Sequence, residues 1–170
     1  MKCVVLITGG SRSGKSTYAE NLALSLSERP VYLATARIWD EEFRERVRRH
    51  QARRGPQWTN IEEEKDLSRH DLTGRVVVVD CLTLWCTNFF FDLESDVDRS
   101  LEAAKAEFDR FTEQDATFIF VTNEIGMGGT SDNEIQRKFT DLQGWMNQYV
   151  AAHADEVILM ACGIPVKIKG

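Results

Sequence analysis

The sequence predicts an α/β fold in which helices cover both faces of a mostly parallel sheet. Short apolar runs rich in Val and Ile alternate along the chain with longer segments whose apolar residues recur at helical spacing. Strands that are separated by helices need crossover connections, and such connections make parallel sheets. The last two apolar runs lie only a turn apart, so we expect them to form an antiparallel C-terminal edge.

The composition is that of one globular domain covering residues 1–170. Hydrophobic residues make up 42% of the chain and charged residues 28%, which excludes wholesale disorder. The 21 Lys and Arg against 27 Asp and Glu leave a net charge of −6, which argues against nucleic acid as a partner. No apolar run reaches the roughly 18 residues of a membrane-spanning helix, and we expect a cytoplasmic location.

The N-terminal segment predicts a strand, a helix and a second strand. Residues 2–8 form an apolar run that ends at two glycines, as is typical of a strand buried on both faces. Residues 15–27 predict a helix, with Ala19 and Leu22 among its apolar positions. Residues 31–34 follow Pro30 and predict a short strand.

The next segment is the most strongly charged part of the chain. Residues 40–54 predict a helix that begins after Asp40, a residue type that favours the N-cap position. Residues 58–61 predict a short extended piece. Residues 75–80 contain four consecutive valines and are the clearest strand signal in the sequence.

The middle of the chain predicts two helices and another strand. Residues 82–92 predict a very apolar helix. Ser95 to Asp98 resemble a capping box and open a helix that runs to about residue 113. Residues 117–123 predict a further buried strand.

The C-terminal segment predicts a helix and the closing pair of strands. Residues 135–152 place five apolar side chains on one stripe of a helix, namely Ile135, Phe139, Leu142, Met146 and Tyr149. Residues 156–161 and 166–168 predict strands on either side of a short turn. Of the four cysteines, none forms a Cys-x-x-Cys pair, so we expect no zinc site and interpret Cys3 and Cys162 as small core residues.

A phosphate-binding loop joins the first strand to the first helix. Eight consecutive residues match G-x-x-x-x-G-K-[ST] in full: Gly9, Gly10, Ser11, Arg12, Ser13, Gly14, Lys15 and Ser16. Glycines let the backbone turn its N–H groups inward, and the helix that follows presents free N–H groups and a positive dipole end to phosphates. Lys15 is expected to reach the β- and γ-phosphates, and the Ser16 hydroxyl to ligate Mg²⁺.

An acidic residue ends the valine strand, where a phosphate loop needs one. Asp80 is therefore predicted to lie on the metal side of the nucleotide, together with Ser16. Asn123 and Glu124 end the next strand and are expected at the same edge, since ligands of parallel sheets bind outside the carboxyl ends of the strands. They do not form the Asn-Lys-x-Asp signature of switch GTPases.

The charged helix has more than one interpretation. Seven arginines and four acids between positions 37 and 54 give the segment a charge of +3. One interpretation is a solvated face with Glu–Arg pairs, and another is a half-buried histidine beside Phe43 and Val47. His70 and His153 have no such setting, and we interpret them as surface or cap residues.

A third interpretation of the helix is chemical. Arg46, His50, Arg53 and Arg54 share one helical face at spacings of four, seven and eight residues. Like charges disfavour the imidazolium form, which leaves a neutral, nucleophilic histidine. The same arginines would neutralise a phosphoryl group under attack, so the helix suits attack on a nucleotide α-phosphate.

These motifs together resemble the bifunctional adenosylcobinamide kinase/adenosylcobinamide-phosphate guanylyltransferase family of cobalamin synthesis. The resemblance covers nearly the whole chain and rests on ordered residues at 8–16, 32–36, 40–42, 46–47, 50, 53–54, 58, 121–128, 146–148, 154–157 and 163–168. The phosphate loop is shared by many families. The combination of His50 with the Thr-Asn-Glu-Ile-Gly-Met-Gly run at 122–128 is specific.

The resemblance implies two reactions, a RecA-like fold and a homotrimer. In the first reaction ATP or GTP phosphorylates the aminopropanol hydroxyl of adenosylcobinamide. In the second, GMP passes from GTP to that phosphate through a guanylylated histidine, which matches His50, and pyrophosphate is released. Beyond the phosphate loop, the positions that match nucleotide contacts are Thr35, Ala36, Arg37, Ala52, Arg53, Arg54, Gly55, Glu62 and Asp80.

Other functions stay open from the residues alone. The chain could be a P-loop kinase for another small alcohol, with His50 only structural. It could also be a nucleotide-binding switch without substrate chemistry. An RNA-binding arginine helix is disfavoured by the acidic total and by the lack of interleaved aromatic residues.

Overall fold

The computed structural model describes residues 2–170, which form a seven-stranded sheet with five α-helices packed against it. The strands are β1 (Cys3–Gly9), β2 (Val31–Ala34), β3 (Thr59–Glu62), β4 (Val76–Asp80), β5 (Thr117–Asn123), β6 (Glu156–Ala161) and β7 (Ile164–Lys169). The helices are α1 (Lys15–Leu26), α2 (Glu41–Arg54), α3 (Leu82–Asp92), α4 (Val97–Thr112) and α5 (Glu134–His153), and a 3₁₀ turn covers Leu67–Arg69. The predicted alternation of strands and helices is confirmed, with most boundaries within two residues.

The strand order is β3-β2-β4-β5-β1-β6-β7. All neighbours are parallel except β6 and β7, which form the expected antiparallel edge. Gly9 at the end of β1 lies opposite Asn123 of β5 and Met160 of β6. The carboxyl ends of the central strands therefore meet at one edge, directly beside the phosphate loop.

Side chains of each strand alternate between two cores, one on each face of the sheet. On one face Val4 and Leu6 pack with residues of α3, α4 and α5. On the other face Val5 and Ile7 pack with residues of α1, including Ala19. The apolar runs are continuous because both faces of the central strands are covered, as predicted.

The helix caps agree with the sequence at α2 and differ at α4. The Asp40 side chain accepts a hydrogen bond from the backbone N–H of Phe43, as expected for an N-cap. In α4 the cap is Asp96, which accepts from the N–H of Arg99, and Ser95 lies in the turn with a φ of 63°. The prediction of Ser95 as the cap is wrong by one residue because the preceding turn gives Ser95 a left-handed backbone.

Two expected core residues are exposed. Cys162 lies in the β6–β7 turn with a φ of 54° and an exposed side chain, so its interpretation as a core residue is wrong. Ile135 is 50% exposed at the start of α5, before the helix reaches the sheet. Cys86 is fully buried in α3, and burial raises its pKa to about 12.

Helix α2 differs from the other helices in how it packs. None of its residues is buried, and hydrogen bonds from Gln51 and Arg54 join its C-terminal part to β3. Its half-buried apolar side chains, Phe43 and Val47, face the sheet edge. Within residues 2–170 no helix has the length and apolar character needed to cross a membrane.

Candidate active site

The phosphate loop has the conformation that its glycines permit. A Cβ on Gly9 would lie 2.6 Å from the Ser13 hydroxyl oxygen and 2.7 Å from the carbonyl oxygen of Met160, so only glycine fits this close approach. Gly14 is the N-cap of α1 with a φ of 94°, and no side chain caps the helix. The first N–H groups of α1 are thus not used by a cap and point toward the groove along residues 12–17, which we call the phosphate groove.

Lys15 lies folded against this loop. Its ammonium donates to the carbonyl oxygen of Gly10 and lies 3.5 Å from the hydroxyl of Ser13. The residue is 7% exposed, and burial lowers the pKa of the ammonium from its usual value. A phosphate in the groove would supply the negative charge that this buried cation lacks.

A cavity of about 360 Å³ adjoins the phosphate groove at Ser16. Its walls come from α1, β2, α2 and the end of β4, and the residues that line it are Ser16, Glu20, Tyr32, Ala34, Ala36, Phe43, Arg46, Val47, His50, Arg54, Asp80 and Leu84. We call it the central cavity. It brings together the predicted residues Ser16, His50 and Asp80, which lie far apart in sequence.

A third depression continues the site beyond His50. It has a volume of about 220 Å³ and is lined by Arg46, Arg49, His50 and Arg53, and we call it the arginine groove. His50 and Arg46 belong to both the central cavity and the arginine groove. The three depressions therefore adjoin one another through shared lining residues, from the phosphate loop to the arginine helix.

Two interpretations of the charged helix are tested by this geometry. The exposed side does carry Glu–Arg pairs, such as Arg46 with Glu42 at 2.9 Å and Arg49 with Glu45 at 3.6 Å. The alternative of a half-buried histidine is wrong, because His50 is exposed at the mouth of the cavity. Arg46 and Arg53 share a face with His50, as the spacing predicts.

Asp80 and Tyr32 form the wall of the central cavity nearest to the sheet. The Tyr32 hydroxyl donates to Oδ2 of Asp80. Burial and the adjacent carboxylate raise the pKa of Tyr32, so the phenol stays protonated and remains a donor. The guanidinium of Arg54 lies 3.4 Å from the centroid of the Tyr32 ring.

Thr35 has a structural setting. Its side chain is fully buried, and its hydroxyl donates to the carbonyl oxygen of Cys81 at 2.7 Å and accepts from the Cys81 N–H at 3.1 Å. Asn88 donates to the Thr35 carbonyl oxygen at 2.7 Å. These bonds fix the chain as it leaves β2, and Ala36 then lines the central cavity.

Arg37 lies outside the central cavity. Its guanidinium makes two parallel hydrogen bonds to Asp92, at 2.8 and 2.9 Å, and one to Glu64 at 2.8 Å. Lys65 adds a contact of 2.6 Å to the same Asp92 carboxylate. The hydrogen bonds with Asp92 raise the pKa of Arg37 and hold that of Asp92 well below its usual range.

The remaining predicted positions flank the site. Ala52 is exposed on α2, and Gly55 ends the helix with a φ of 88°. Glu62 accepts a hydrogen bond from Gln51 at 3.3 Å. None of the three lines the central cavity.

Strand β5, which lies between β4 and β1 in the sheet, brings its C-terminal end to the phosphate loop. The backbone N–H of Glu124 donates to the carbonyl oxygen of Gly9 at 2.9 Å, which places Asn123 and Glu124 beside the phosphate loop as expected. The Glu124 carboxylate accepts from the N–H groups of Gly126 and Met127 at 3.2 and 3.0 Å. It holds its own loop rather than facing the central cavity.

Two polar residues of the central cavity, Glu20 and Tyr32, were not predicted from the sequence as site residues. Glu20 lies one helical turn after Ser16, and burial raises its pKa although Arg54 and Arg53 act against the rise. The four-residue spacing from Ser16 could have indicated it. Tyr32 precedes Ala34 by two residues in β2, and the period of a strand puts both on one face.

The donor set of the site suits a hard divalent cation. In the described part of the chain, no three His, Cys, Asp or Glu side chains cluster as a metal-binding group. The Ser16 hydroxyl and the Asp80 carboxylate lie on the same cavity, and oxygen donors with few protein ligands are typical of Mg²⁺. These two residues fit the predicted Mg²⁺ site.

Solved structures show the same fold. A flagellar accessory protein, FlaH from Methanocaldococcus jannaschii, superposes with a TM-score of 0.50 at 15% identity, over 98% of this chain and 78% of its own. A prototypical ATPase from the type III secretion system of pathogenic bacteria gives a TM-score of 0.57 at 14% identity, over 92% of this chain and 50% of its own. At such low identity these likenesses concern the fold alone, and the predicted P-loop α/β fold is confirmed.

Sequence comparison is more specific. This chain is 37% identical to the bifunctional adenosylcobalamin biosynthesis protein CobP of Pseudomonas aeruginosa, over 97% of this chain and 96% of the relative. It is 36% identical to the bifunctional adenosylcobalamin biosynthesis protein CobU of Escherichia coli, over 98% and 99% respectively. The family model for cobinamide kinase / cobinamide phosphate guanyltransferase matches residues 5–168. The chain therefore belongs to the cobinamide kinase / cobinamide phosphate guanyltransferase family.

Proposed function

We propose that this chain catalyses both reactions of its family: phosphorylation of adenosylcobinamide, and then transfer of GMP to the product. The observation that carries the proposal is the continuity of the site, in which Ser16 joins the phosphate groove to the central cavity and His50 joins the cavity to the arginine groove. A nucleotide held by the loop thus has access to both an acceptor and the histidine. ATP, GTP and a corrinoid are the proposed substrates.

In the phosphorylation step the protein mainly binds and orients. The N–H groups at the start of α1 and the ammonium of Lys15 hold the β- and γ-phosphates. The corrinoid hydroxyl attacks the γ-phosphorus, the bond to the β-phosphate oxygen breaks, and the nucleoside diphosphate leaves. No protein nucleophile takes part.

Mg²⁺ is the proposed cofactor, held by Ser16 and Asp80. When bound, the cation neutralises charge on the phosphates of the nucleotide. The hydrogen bond from Tyr32 occupies Oδ2 of Asp80 and leaves Oδ1 available to the metal or its water. Asp80 thus holds a defined orientation at the end of β4.

In the guanylyl transfer step His50 is the proposed nucleophile. An imidazole nitrogen attacks the α-phosphorus of GTP, a P–N bond forms, the P–O bond to pyrophosphate breaks, and pyrophosphate leaves. A phosphate oxygen of the corrinoid then attacks the same phosphorus, and the P–N bond breaks to regenerate the imidazole. Arg46 and Arg53 face the same groove as His50 and balance the charge on the phosphoryl oxygens.

The nucleotide-contact residues outside the cavity remain part of the proposal. Arg53 lines the arginine groove, and the positions that flank the site are Thr35, Arg37, Ala52, Gly55 and Glu62. Thr35 and Arg37 contribute through backbone placement, because their side chains are already engaged with Cys81 and Asp92. A homotrimer belongs to the same proposal through the family resemblance, and a cytoplasmic location through the sequence, which lacks a long apolar run.

The test is turnover with a corrinoid substrate. Purified protein with adenosylcobinamide, Mg²⁺ and GTP is expected to form adenosylcobinamide phosphate first and adenosylcobinamide-GDP afterwards. One pyrophosphate should be released for each molecule of adenosylcobinamide-GDP that forms. Formation of the phosphate alone would indicate a kinase without guanylyl transfer. Nucleotide binding without either product would indicate a switch and would contradict the proposal.

A further inference from the structure

Tyr32 lies where three parts of the site meet, and the reaction steps above use only its hydrogen bond to Asp80. It is 8% exposed in β2, and its ring lies on the wall of the central cavity. Its hydroxyl donates to Asp80 at the end of β4. Its ring carries the guanidinium of Arg54 on one side, and the ring of Trp58 packs edge-on at 6.0 Å between centroids.

Helix α2 has few other attachments to the sheet. Three hydrogen bonds reach β3, one from Gln51 to Glu62 at 3.3 Å and two from Arg54 to Asn60 at 2.9 and 3.3 Å, and β3 is an exposed edge strand. Among the polar and ring contacts of residues 2–170, the Arg54–Tyr32 stack joins α2 to a buried residue of the sheet. A cation over an aromatic ring gains strength as it loses water, so this contact couples α2 to the buried part of the sheet.

The position of the stack matters for His50. Arg54 follows His50 by four residues, so both side chains lie on one face of α2. A helix held at Arg54 presents His50 to the central cavity with a fixed rotation about the helix axis. A helix released at Arg54 keeps only exposed contacts and its Phe43 and Val47 packing.

We propose that Tyr32 is a positioning residue with two separable roles. Its ring holds α2, and therefore His50, against the central cavity, and its hydroxyl fixes the carboxylate of Asp80. The inference rests on the proposed function for its chemical readout. The two roles affect different steps, because both reactions use Asp80 whereas guanylyl transfer alone uses His50.

The chemical test compares Tyr32→Phe with Tyr32→Leu, each measured per folded molecule. Tyr32→Phe keeps the ring and loses the hydroxyl, so we expect both half-reactions to slow by a similar factor of about 3 to 10. Tyr32→Leu loses both contacts, so we expect formation of the guanylylated protein to fall at least about tenfold further than corrinoid phosphorylation. An unchanged ratio of the two rates in Tyr32→Leu would overturn the role of the ring, and a wild-type rate in Tyr32→Phe would overturn the role of the hydroxyl.

A second measurement, hydrogen–deuterium exchange, does not depend on enzyme activity. Hydrogen–deuterium exchange of the unliganded protein is expected to speed up by about tenfold or more across residues 41–54 in Tyr32→Leu and in Arg54→Gln, but not in Tyr32→Phe. Arg54→Gln removes the cation but no buried side chain of the core, so this variant provides the test if Tyr32→Leu does not fold. Unchanged exchange in Arg54→Gln would show that the stack does not hold the helix.

A matched control lies on the far side of the sheet. The Tyr149 hydroxyl donates to Asp109 at 2.8 Å, and the ammonium of Lys105 lies 5.1 Å from its ring centroid. Tyr149→Phe and Tyr149→Leu are expected to leave the rate ratio and the exchange of α2 unchanged. If the Tyr149 variants change the rate ratio and the exchange of α2 as the Tyr32 variants do, general destabilisation explains the changes and the proposal is wrong. Wild-type protein that forms no adduct contradicts the proposed function, while the exchange readout still tests the ring.

Discussion

Lys15 is a buried cation at the site where the phosphate loop is expected to bind phosphate. It is buried at the start of α1, and its ammonium rests on Gly10 and Ser13 in the position that a phosphate oxygen would approach. Burial of a cation is costly without a partner, and the loop carbonyl and hydroxyl meet that cost only in part. The residue is therefore built for an anionic ligand rather than for stability.

Replacement of Lys15 by Ala is expected to disable both half-reactions. In residues 2–170 the phosphate loop is the one motif of its kind, so the same lysine serves whichever nucleotide is bound. Loss of a charge-assisted contact to phosphate costs on the order of 1.5–3 kcal/mol in binding, which is roughly ten- to more than a hundredfold. Titration calorimetry with GTP measures the loss, and a variant with normal guanylyl transfer would show that GTP binds elsewhere for that step.

At the scale of elements, α2 combines an active face with a solvated one. Arg46 and Arg53 line the arginine groove with His50, and Arg46 also pairs with Glu42, whereas Arg44 and Arg48 do not line the groove and pair with glutamates of their own helix. Exposed pairs of this kind contribute only about 0–1 kcal/mol to the free energy of unfolding. A comparison of the two sets of arginines therefore separates the effect of charge in the groove from the effect of charge elsewhere on the helix.

The double variant Arg46→Gln/Arg53→Gln is expected to slow guanylyl transfer by at least about tenfold, because developing charge on the phosphoryl group loses two partners. Its melting temperature should stay within a few degrees of wild type. The matched double variant Arg44→Gln/Arg48→Gln should keep the wild-type rate. Equal loss in both variants would show that the net charge of the helix matters and that the groove does not.

The segment before α2 is anchored by a cluster of charges around Asp92. The Arg37 and Lys65 hydrogen bonds hold the pKa of Asp92 below its ordinary value of 3.8. A group with a depressed pKa in the folded state stabilises the protein above its unfolded pKa, and this contribution is lost as the pH falls through the folded pKa. The cluster thus fixes the entry to the histidine helix at neutral pH.

Asp92→Asn is expected to lower the free energy of unfolding by about 1 kcal/mol at pH 7, a figure that allows for solvent screening. The gap between variant and wild type should narrow progressively as the pH is lowered below about 4. Urea unfolding at a series of pH values measures this gap, with a substitution of the exposed Asp141 of α5, Asp141→Asn, as the control. A gap that stays constant with pH would show that the effect is not the loss of the carboxylate charge.

Periodicity explains why the elements could be predicted. Four valines before Asp80 and the apolar run before Gly9 set the two strands around which the site is built, and local signals such as Asp40 set the start of α2. Contacts between distant residues could not be predicted in this way. Tyr32 meets Asp80 across 48 positions and Arg37 meets Asp92 across 55, so both contacts depend on strand order and helix placement rather than on local pattern.

In the whole molecule the phosphate groove and the central cavity lie at the carboxyl ends of the central strands, and the last strand is an open edge of the same sheet. The last strand, β7, is exposed along its length, with Ile164 at 64% and Ile168 at 60% exposed. Open edge strands with apolar side chains are normally covered in the functional protein. This surface is compatible with the homotrimer that the family resemblance implies.

We expect light scattering on the purified protein to give three times the mass of the chain across a wide range of concentrations. The physical reason is that a closed trimer removes exposed apolar surface from water without leaving further free interfaces. Dilution should not release monomer at the concentrations of an enzyme assay. A monomeric mass would contradict the expected assembly while leaving the chemistry of the single chain untouched.

We propose that one chain brings a phosphate loop and a nucleophilic histidine to a single site. Treatment with GTP labelled in the α-phosphate and guanine, followed by peptide mapping under basic conditions, tests this arrangement. We expect one guanylyl group per active site on the peptide that carries His50, lost on mild acid treatment, and absent in His50→Asn, which still phosphorylates the corrinoid. Label on His70, His153 or Lys15, or no label on a protein that nevertheless transfers GMP, would contradict it.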